Sequence, residues 1–241
     1  MLPKIDTPTY ELKLPSTNKK IRYRPFLVKE EKILLMAQEG ETVEEKIDAV
    51  KQIIRNCVLN DIDIEKLSTF DIEYLFIQLR SKSVGNIINL NYKKENCSEK
   101  ENGPGDCQLP FLLDLDQVKV NTEQEGYSNK IELTDEIGLI MKYPDFETLN
   151  RLLSAEDYDD LVKLIASCVE FIWDADDMHN VSDYTIEEVS EFIENLTQKQ
   201  LDLINDFFEN MPETVCEVNI RCPKCGFQKE MKVRGISDFF S

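Results

Sequence analysis

The sequence predicts an α+β protein in which helices are combined with β-hairpins. Three observations lead there. Both ends of the chain alternate apolar and polar residues with period 2, in TYELKLP with IRYRPF and in VCEVNIR with FQKEMKV. The stretches between them carry apolar residues three and four apart, the spacing of a helix with one buried face. Two segments read as hairpins that carry cysteines near their turns, and the last closes on the CxxC turn Cys222-Pro223-Lys224-Cys225-Gly226. The halves 1–134 and 135–241 look related, since each runs through helices into a strand, a cysteine-bearing turn and a strand.

The elements follow in chain order. Tyr10, Leu12 and Leu14 line one face of a first strand, STNKK turns, and IRYRPF alternates until Pro25 ends it. Three helices come next. Val28 to Glu39 places Ile33, Leu34, Met36 and Ala37 inward. Thr42 with Glu45 reads as a capping box before Ile47, Val50, Ile53, Ile54, Cys57 and Val58. Phe70 to Lys82 buries Ile72, Leu75, Phe76 and Leu79, and Gly85 closes it. NIINLNY and LPFLLDLDQVKV read as strands separated by the polar loop KKENCSEKENGPGDCQ, which is long for a hairpin. IGLIMKYP is a further strand. From Asp145 to Asn210 the pattern is helical, with Leu161, Leu164, Ile165, Cys168, Phe171 and Ile172 on one face. Thr185 with Glu188 and Thr197 with Gln200 are two more capping boxes.

Composition narrows the function. The chain has 241 residues with 28 basic and 47 acidic side chains, a formal net charge of −19. Phosphate-backbone binding needs a basic face, so this balance speaks against nucleic acid as a main partner. From Asp145 to Glu209 there are 18 acidic and 3 basic residues, whereas Met1 to Gly40 holds 8 basic and 5 acidic. The acidic stretch reads as a solvated helical surface or as a face that steers a basic partner. No run of about 18 apolar residues is present to span a bilayer, and the first residues lack the apolar core of a secretory signal. An intracellular location is expected.

Chemistry has little material. His179 is the single histidine, so a Ser-His-Asp or Cys-His arrangement has to run through it. Its setting, WDADDMHNVSD, reads as a surface loop. The Asp159–Asp160 and Asp174–Asp177 clusters lack the spacing and glycine of a calcium loop. The seven cysteines divide. Cys57 and Cys168 fall on apolar helix faces and pack. Cys222 and Cys225 have the spacing of two thiolates on one tetrahedral metal, with Gly226 freeing the turn behind them. Cys97 and Cys107, on the matching hairpin, are the natural second pair for a structural zinc, and Cys216 is a substitute ligand. A metal-free turn with reduced thiols stands equally open. A redox role lacks the strand–CxxC–helix context.

The runs LPKIDTPTYELKLPSTNKKIRYRPFLVKEEKILLMA and CVLNDIDIEKLSTFDIEYLFIQLRSKSVG resemble the baseplate hub proteins of T-even-type contractile-tailed bacteriophages. The resemblance is strong over about the first 90 residues and looser through the acidic helices to the CxxC hairpin. It implies a structural or assembly component of the tail baseplate hub, without enzymatic activity, made in the host cytoplasm and placed in the virion baseplate. Other hub proteins are the partners it implies. Its LRxxSxG pattern falls on Leu79, Arg80, Ser83 and Gly85, with Ser83 a structural residue at a helix end. The alternatives are a transient assembly chaperone absent from the mature virion and a zinc-ribbon nucleic-acid-binding regulator. The basic hairpin residues Lys19, Lys20, Arg22 and Arg24 and the terminal Phe239 and Phe240 are the expected partner-binding residues. Opposite charge on the basic hairpin and the acidic helices also permits a homo-oligomer.

Overall fold

The structure, a computed structural model, describes residues 6–38, 43–97, 105–121, 128–155, 157–223 and 225–234, without the side chains of 38, 43, 44, 94–97, 105, 106, 150, 153 and 154. Thr42, Phe239 and Phe240 lie outside them. Among the described residues the chain is α+β, with seven α-helices and four small antiparallel sheets. Its contacts do not follow a cut at 134/135. They gather residues 1–64, 70–121 and 213–241 into one compact unit and 65–69 with 122–212 into a second.

The first unit opens with β1 (Tyr10–Lys13) and β2 (Lys20–Tyr23), paired from Tyr10↔Tyr23 to Lys13↔Lys20. Asn18 takes the left-handed conformation in their turn, which its short polar side chain tolerates. Helices α1 (Val28–Gln38), α2 (Val43–Cys57) and α3 (Thr69–Ser83) follow. Val50, Ile53, Ile54, Ile72, Leu75 and Leu79 are fully buried, so the helical stripes read from the sequence do face a core. Each such side chain contributes about 1.5–3 kcal/mol by leaving water. Met36 is an exception on α1. It is 63% exposed beside exposed Leu35, while Leu34 and Ala37 turn inward.

β3 (Ile87–Cys97) and β4 (Gly105–Asp114) form a hairpin longer than the apolar pattern suggests. Residues 93–97 and 105–108, read from the sequence as loop, are strand. Backbone pairing carries the ribbon on where hydrophobic alternation fades. After a 3-10 turn at Leu115–Gln117, β5 (Lys119–Val120) ends the segment.

The second unit holds β6 (Lys130–Glu132), β7 (Gly138–Met141), α4 (Phe146–Ser154), α5 (Tyr158–Ser167), β8 (Val169–Trp173), β9 (Met178–Asn180), α6 (Ile186–Glu194) and α7 (Gln198–Glu209). Its sheet runs β6-β7-β8-β9. Leu139, Met141, Val162, Ile165, Val189, Ile193, Ile204 and Phe207 meet in its core. The amphipathic face drawn through Phe171 and Ile172 is corrected here. The helix stops at Ser167, and Val169–Trp173 is a strand paired with β7 and β9. Its aromatic and β-branched residues favour the pleated surface that both neighbours offer.

Both capping boxes of this unit form. The Thr185 hydroxyl oxygen accepts from Glu188 N–H while the Glu188 carboxylate accepts from Thr185 N–H at 2.8 Å. Gln200 Oε1 accepts from Thr197 N–H at 2.9 Å. Thr185→Ala is expected to lower stability by about 1 kcal/mol in urea titration, with the slope unchanged.

The chain returns to the first unit through β10 (Thr214–Arg221) and β11 (Gln228–Arg234). Thr214 pairs with Val120 and Val215 with Lys119, and Asn121 N–H donates to Glu213 O at 2.9 Å. The second unit is therefore largely an insertion whose flanking strands are hydrogen-bonded neighbours.

Candidate functional site

The basic hairpin is built from β1 and β2. Lys19, Lys20 and Arg22 are exposed, so three of the four cations singled out by sequence stand at the surface. Arg24 does not. Its side chain is 15% exposed and its guanidinium forks onto Glu30, with Nη2 3.1 Å from Oε1 and Nη1 3.4 Å from Oε2. It also donates to Asn56 O and Pro25 O. The reading of Arg24 as a partner-binding residue is corrected: its charge is spent inside the fold, tying β2 to the start of α1 and the end of α2.

Glu30 is fully buried, and sequence reasoning missed it. Leu27 N–H donates to Glu30 Oε2 at 2.8 Å, so the carboxylate also satisfies an end of α1. Burial pushes the Glu30 carboxyl up, but the Arg24 and Leu27 hydrogen bonds, the Arg24 charge and the Lys29 contact outweigh it and hold the group below the usual range. The signal in the sequence is an acidic residue in the first turn, three after the position where α1 begins to be capped.

A second tie holds the hairpin turn. Buried Asp71, in the first turn of α3, accepts from Ser16 N–H at 3.1 Å and from the Ser16 hydroxyl. The cations at Lys19 and Lys20 are thus presented from a turn anchored on a helix.

The cysteine-bearing hairpins lie together in the first unit. Their inner faces share Ile88, Leu113, Cys216 and Val233 with Ile77 of α3. Farther along, Cys107, Leu109, Ile220 and Cys222 form a small buried cluster, with Cys225, Phe227 and Tyr92 packed against it. Three of the four cysteines named as metal ligands are thereby brought together. Cys97 is placed by backbone only, opposite Gly105. Among the described residues no three His, Cys, Asp or Glu side chains stand at metal-ligand spacing. Cys216 belongs to the inner cluster and packs there. Cys57 and Cys168 are buried as expected, and burial pushes both thiols up to about 11.

His179 is on β9 rather than in a loop. Its Nε2 lies 3.1 Å from Asp174 Oδ2 and its Nδ1 3.0 Å from the Tyr184 hydroxyl. Backbone N–H groups of Asp177 and Asp176, together with His179, hold the Asp174 carboxyl down at about 2. His179→Ala is expected to raise the Asp174 pKa toward the ordinary carboxylate value, read by NMR titration; an unchanged value contradicts this contact.

Residues 7–241 match the family described as T4 bacteriophage base plate protein. The chain belongs to this family. A relative 23% identical over 233 residues, covering 96% of this chain and 97% of its own, is baseplate hub assembly protein gp26 of Enterobacteria phage T4. No solved structure matches. In this base plate family chain the LRxxSxG residues do structural work. The Ser83 hydroxyl donates to Leu79 O and accepts from Phe26 N–H at 2.9 Å, which pins the segment before α1 to the end of α3. Gly85 has φ +128°, a conformation that side chains disfavour. Among the described residues no helix is long and apolar enough to cross a membrane.

Proposed function

We propose that the protein is a structural or assembly component of a bacteriophage tail baseplate hub and acts through protein–protein contacts, not catalysis. The observation that carries this reading is the family match over residues 7–241, with a relative of nearly equal extent that is named for hub assembly. The surface agrees with such a role. Lys19, Lys20 and Arg22 project from the anchored β1–β2 hairpin, while the acidic helices of the second unit carry the excess negative charge. Surfaces of this kind steer and orient partners more than they supply affinity. Other baseplate proteins are the partners, and the tail baseplate is the site of action, reached during assembly in the host cytoplasm. A nucleic-acid-binding role is opposed by the charge of −19.

The test is a triple charge reversal, K19E/K20E/R22E, in the phage that encodes the chain. The variant is expected to fold, since all three side chains are exposed, and to lower the yield of infectious particles at least about tenfold, the equivalent of 1.4 kcal/mol in a binding step. Wild-type yield would remove this hairpin from the assembly surface. Mass spectrometry of purified virions separates the two forms of the proposal: the chain present at fixed copy number marks a permanent subunit, and its absence marks a transient chaperone.

A further inference from the structure

The cysteines of this chain fall into two kinds. Cys168 and Cys216 are buried in two separate apolar clusters as small hydrophobes, and buried Cys57 sits beside the Arg24 guanidinium, whose Nη1 is 3.6 Å from its sulfur. The other four are gathered at the tips of two hairpins that the fold lays side by side. Cys107 and Cys222 share one buried cluster, 6% and 1% exposed, and Cys225 packs on it half-buried. The β3–β4 register pairs Lys94 with Cys107 and Cys97 with Gly105, with one extra residue in β3. Gly105 and Cys107 are two apart on β4, so the register sets the Cys97 backbone opposite a position two residues from Cys107.

The turn that bears the last pair is closed on itself. Cys222 N–H donates to Phe227 O at 2.8 Å, Gly226 N–H donates to Cys222 O at 3.1 Å, and Gly226 has φ +68°. A side chain at position 226 is strained by that backbone. This is the turn that two thiolates spaced by two residues need if they are to share an ion. The tips are also clasped from outside. The Tyr92 ring of β3 stacks on Phe227, with centroids 6.4 Å apart and planes 8° from parallel. Lys229 Nζ donates to the Tyr92 hydroxyl at 3.2 Å. Two hairpins from distant parts of the sequence are thus held in register at the level of their cysteines.

We propose that the chain binds one structural zinc ion between the two hairpin tips, with Cys107, Cys222 and Cys225 as ligands and Cys97 as the fourth. Four thiolates at about 2.3 Å close a tetrahedral zinc and leave no position for a substrate. Each thiol gives its proton to solvent as it binds, so uptake is tighter at higher pH. The three described thiols meet in one cluster, though not at ligand spacing, so the proposal requires their side chains to move onto the ion when it binds. The metal then staples a cluster too small to hold two hairpin tips by apolar burial alone.

The full chain, purified without chelator, is expected to hold about one zinc by elemental analysis. The variant C222S/C225S is expected to lose it, whereas C168A, in the core of the second unit, keeps it. Cobalt added to the metal-free wild-type chain reads the ligands without any variant: the intense visible bands of a tetrahedral tetrathiolate are expected, and C97S is expected to weaken and shift them. Zinc below about 0.2 per folded wild-type chain that also gives no cobalt thiolate spectrum overturns the site. Full zinc in C222S/C225S overturns it as well. An unchanged cobalt spectrum in C97S overturns the assignment of Cys97.

Discussion

Glu30→Ala is expected to destabilise the first unit by about 3–5 kcal/mol, because it removes one partner of a buried ion pair and leaves the other charge behind. The carboxylate is fully buried, Arg24 forks onto it, and Leu27 N–H depends on it. After the substitution the guanidinium, 15% exposed, keeps two backbone oxygens and the Cys57 sulfur for company, and no anion among the described residues. Urea unfolding followed by circular dichroism measures the loss as a lower midpoint with an unchanged slope. The pair R24M/E30L is expected to recover most of it, since well-packed apolar residues replace a buried ion pair at little cost. A loss under about 1 kcal/mol in Glu30→Ala would show that the pair behaves as a surface contact.

The same pair sets a pH dependence. The folded-state pKa of Glu30 lies below its ordinary value, so the unfolded chain binds its proton first as pH falls. The contribution is complete above the unfolded value near pH 4.3 and is lost as pH falls through the folded one. Acid unfolding midpoints measured in parallel should converge: wild type loses its advantage over Glu30→Ala in acid and keeps it at neutral pH.

Gly138→Ala is expected to cost the second unit about 3 kcal/mol or more. Gly138 is on β7, paired with Glu132 on one side and Trp173 on the other. A Cβ there would overlap the Trp173 ring and the Ile131 carbonyl oxygen. The carbonyl is backbone in a paired strand, so it yields only by breaking the ladder. The ring is sandwiched further by Lys130, whose ammonium lies 4.6 Å from its centroid. Trp173 is the chain's single tryptophan and reports directly. A red-shifted fluorescence maximum together with a lower unfolding midpoint is expected. Wild-type emission and stability would mean that the ring has room to move aside.

How much of this was legible in the sequence differs by element. α3 showed its full length, because Ile72, Leu75, Phe76 and Leu79 keep helical spacing without interruption. The Thr185–Glu188 box was legible because capping is local chemistry. β8 was not, because Phe171 and Ile172 continue the spacing of α5 by accident, and only the pairing with β7 decides for strand. β6, three residues long, carried no periodic signal. The insertion was invisible for a similar reason: it is defined by Thr214 pairing with Val120 across the whole second unit.

The candidate sites divide the same way. Cysteine spacing pointed to Cys222 and Cys225, and the fold sets Cys107 beside them. The exposed lysines of the first hairpin were legible from alternation, since residues on its polar face have nowhere to go but solvent. Arg24 sat on that same polar face by pattern. Its inward turn toward Glu30 depends on where α1 and α2 pack, which one-dimensional alternation does not carry. Gly138 left one signal, a lone glycine inside a strand, which marks a close approach.

The structural or assembly role in the baseplate follows from the family to which residues 7–241 belong. Electron microscopy of particles from cells infected with a phage carrying a stop codon early in this gene tests it most directly. Heads without completed tails are expected, with normal particles restored when the chain is supplied from a plasmid. Complete, contractile tails with normal baseplates, in wild-type numbers without the chain, would contradict it.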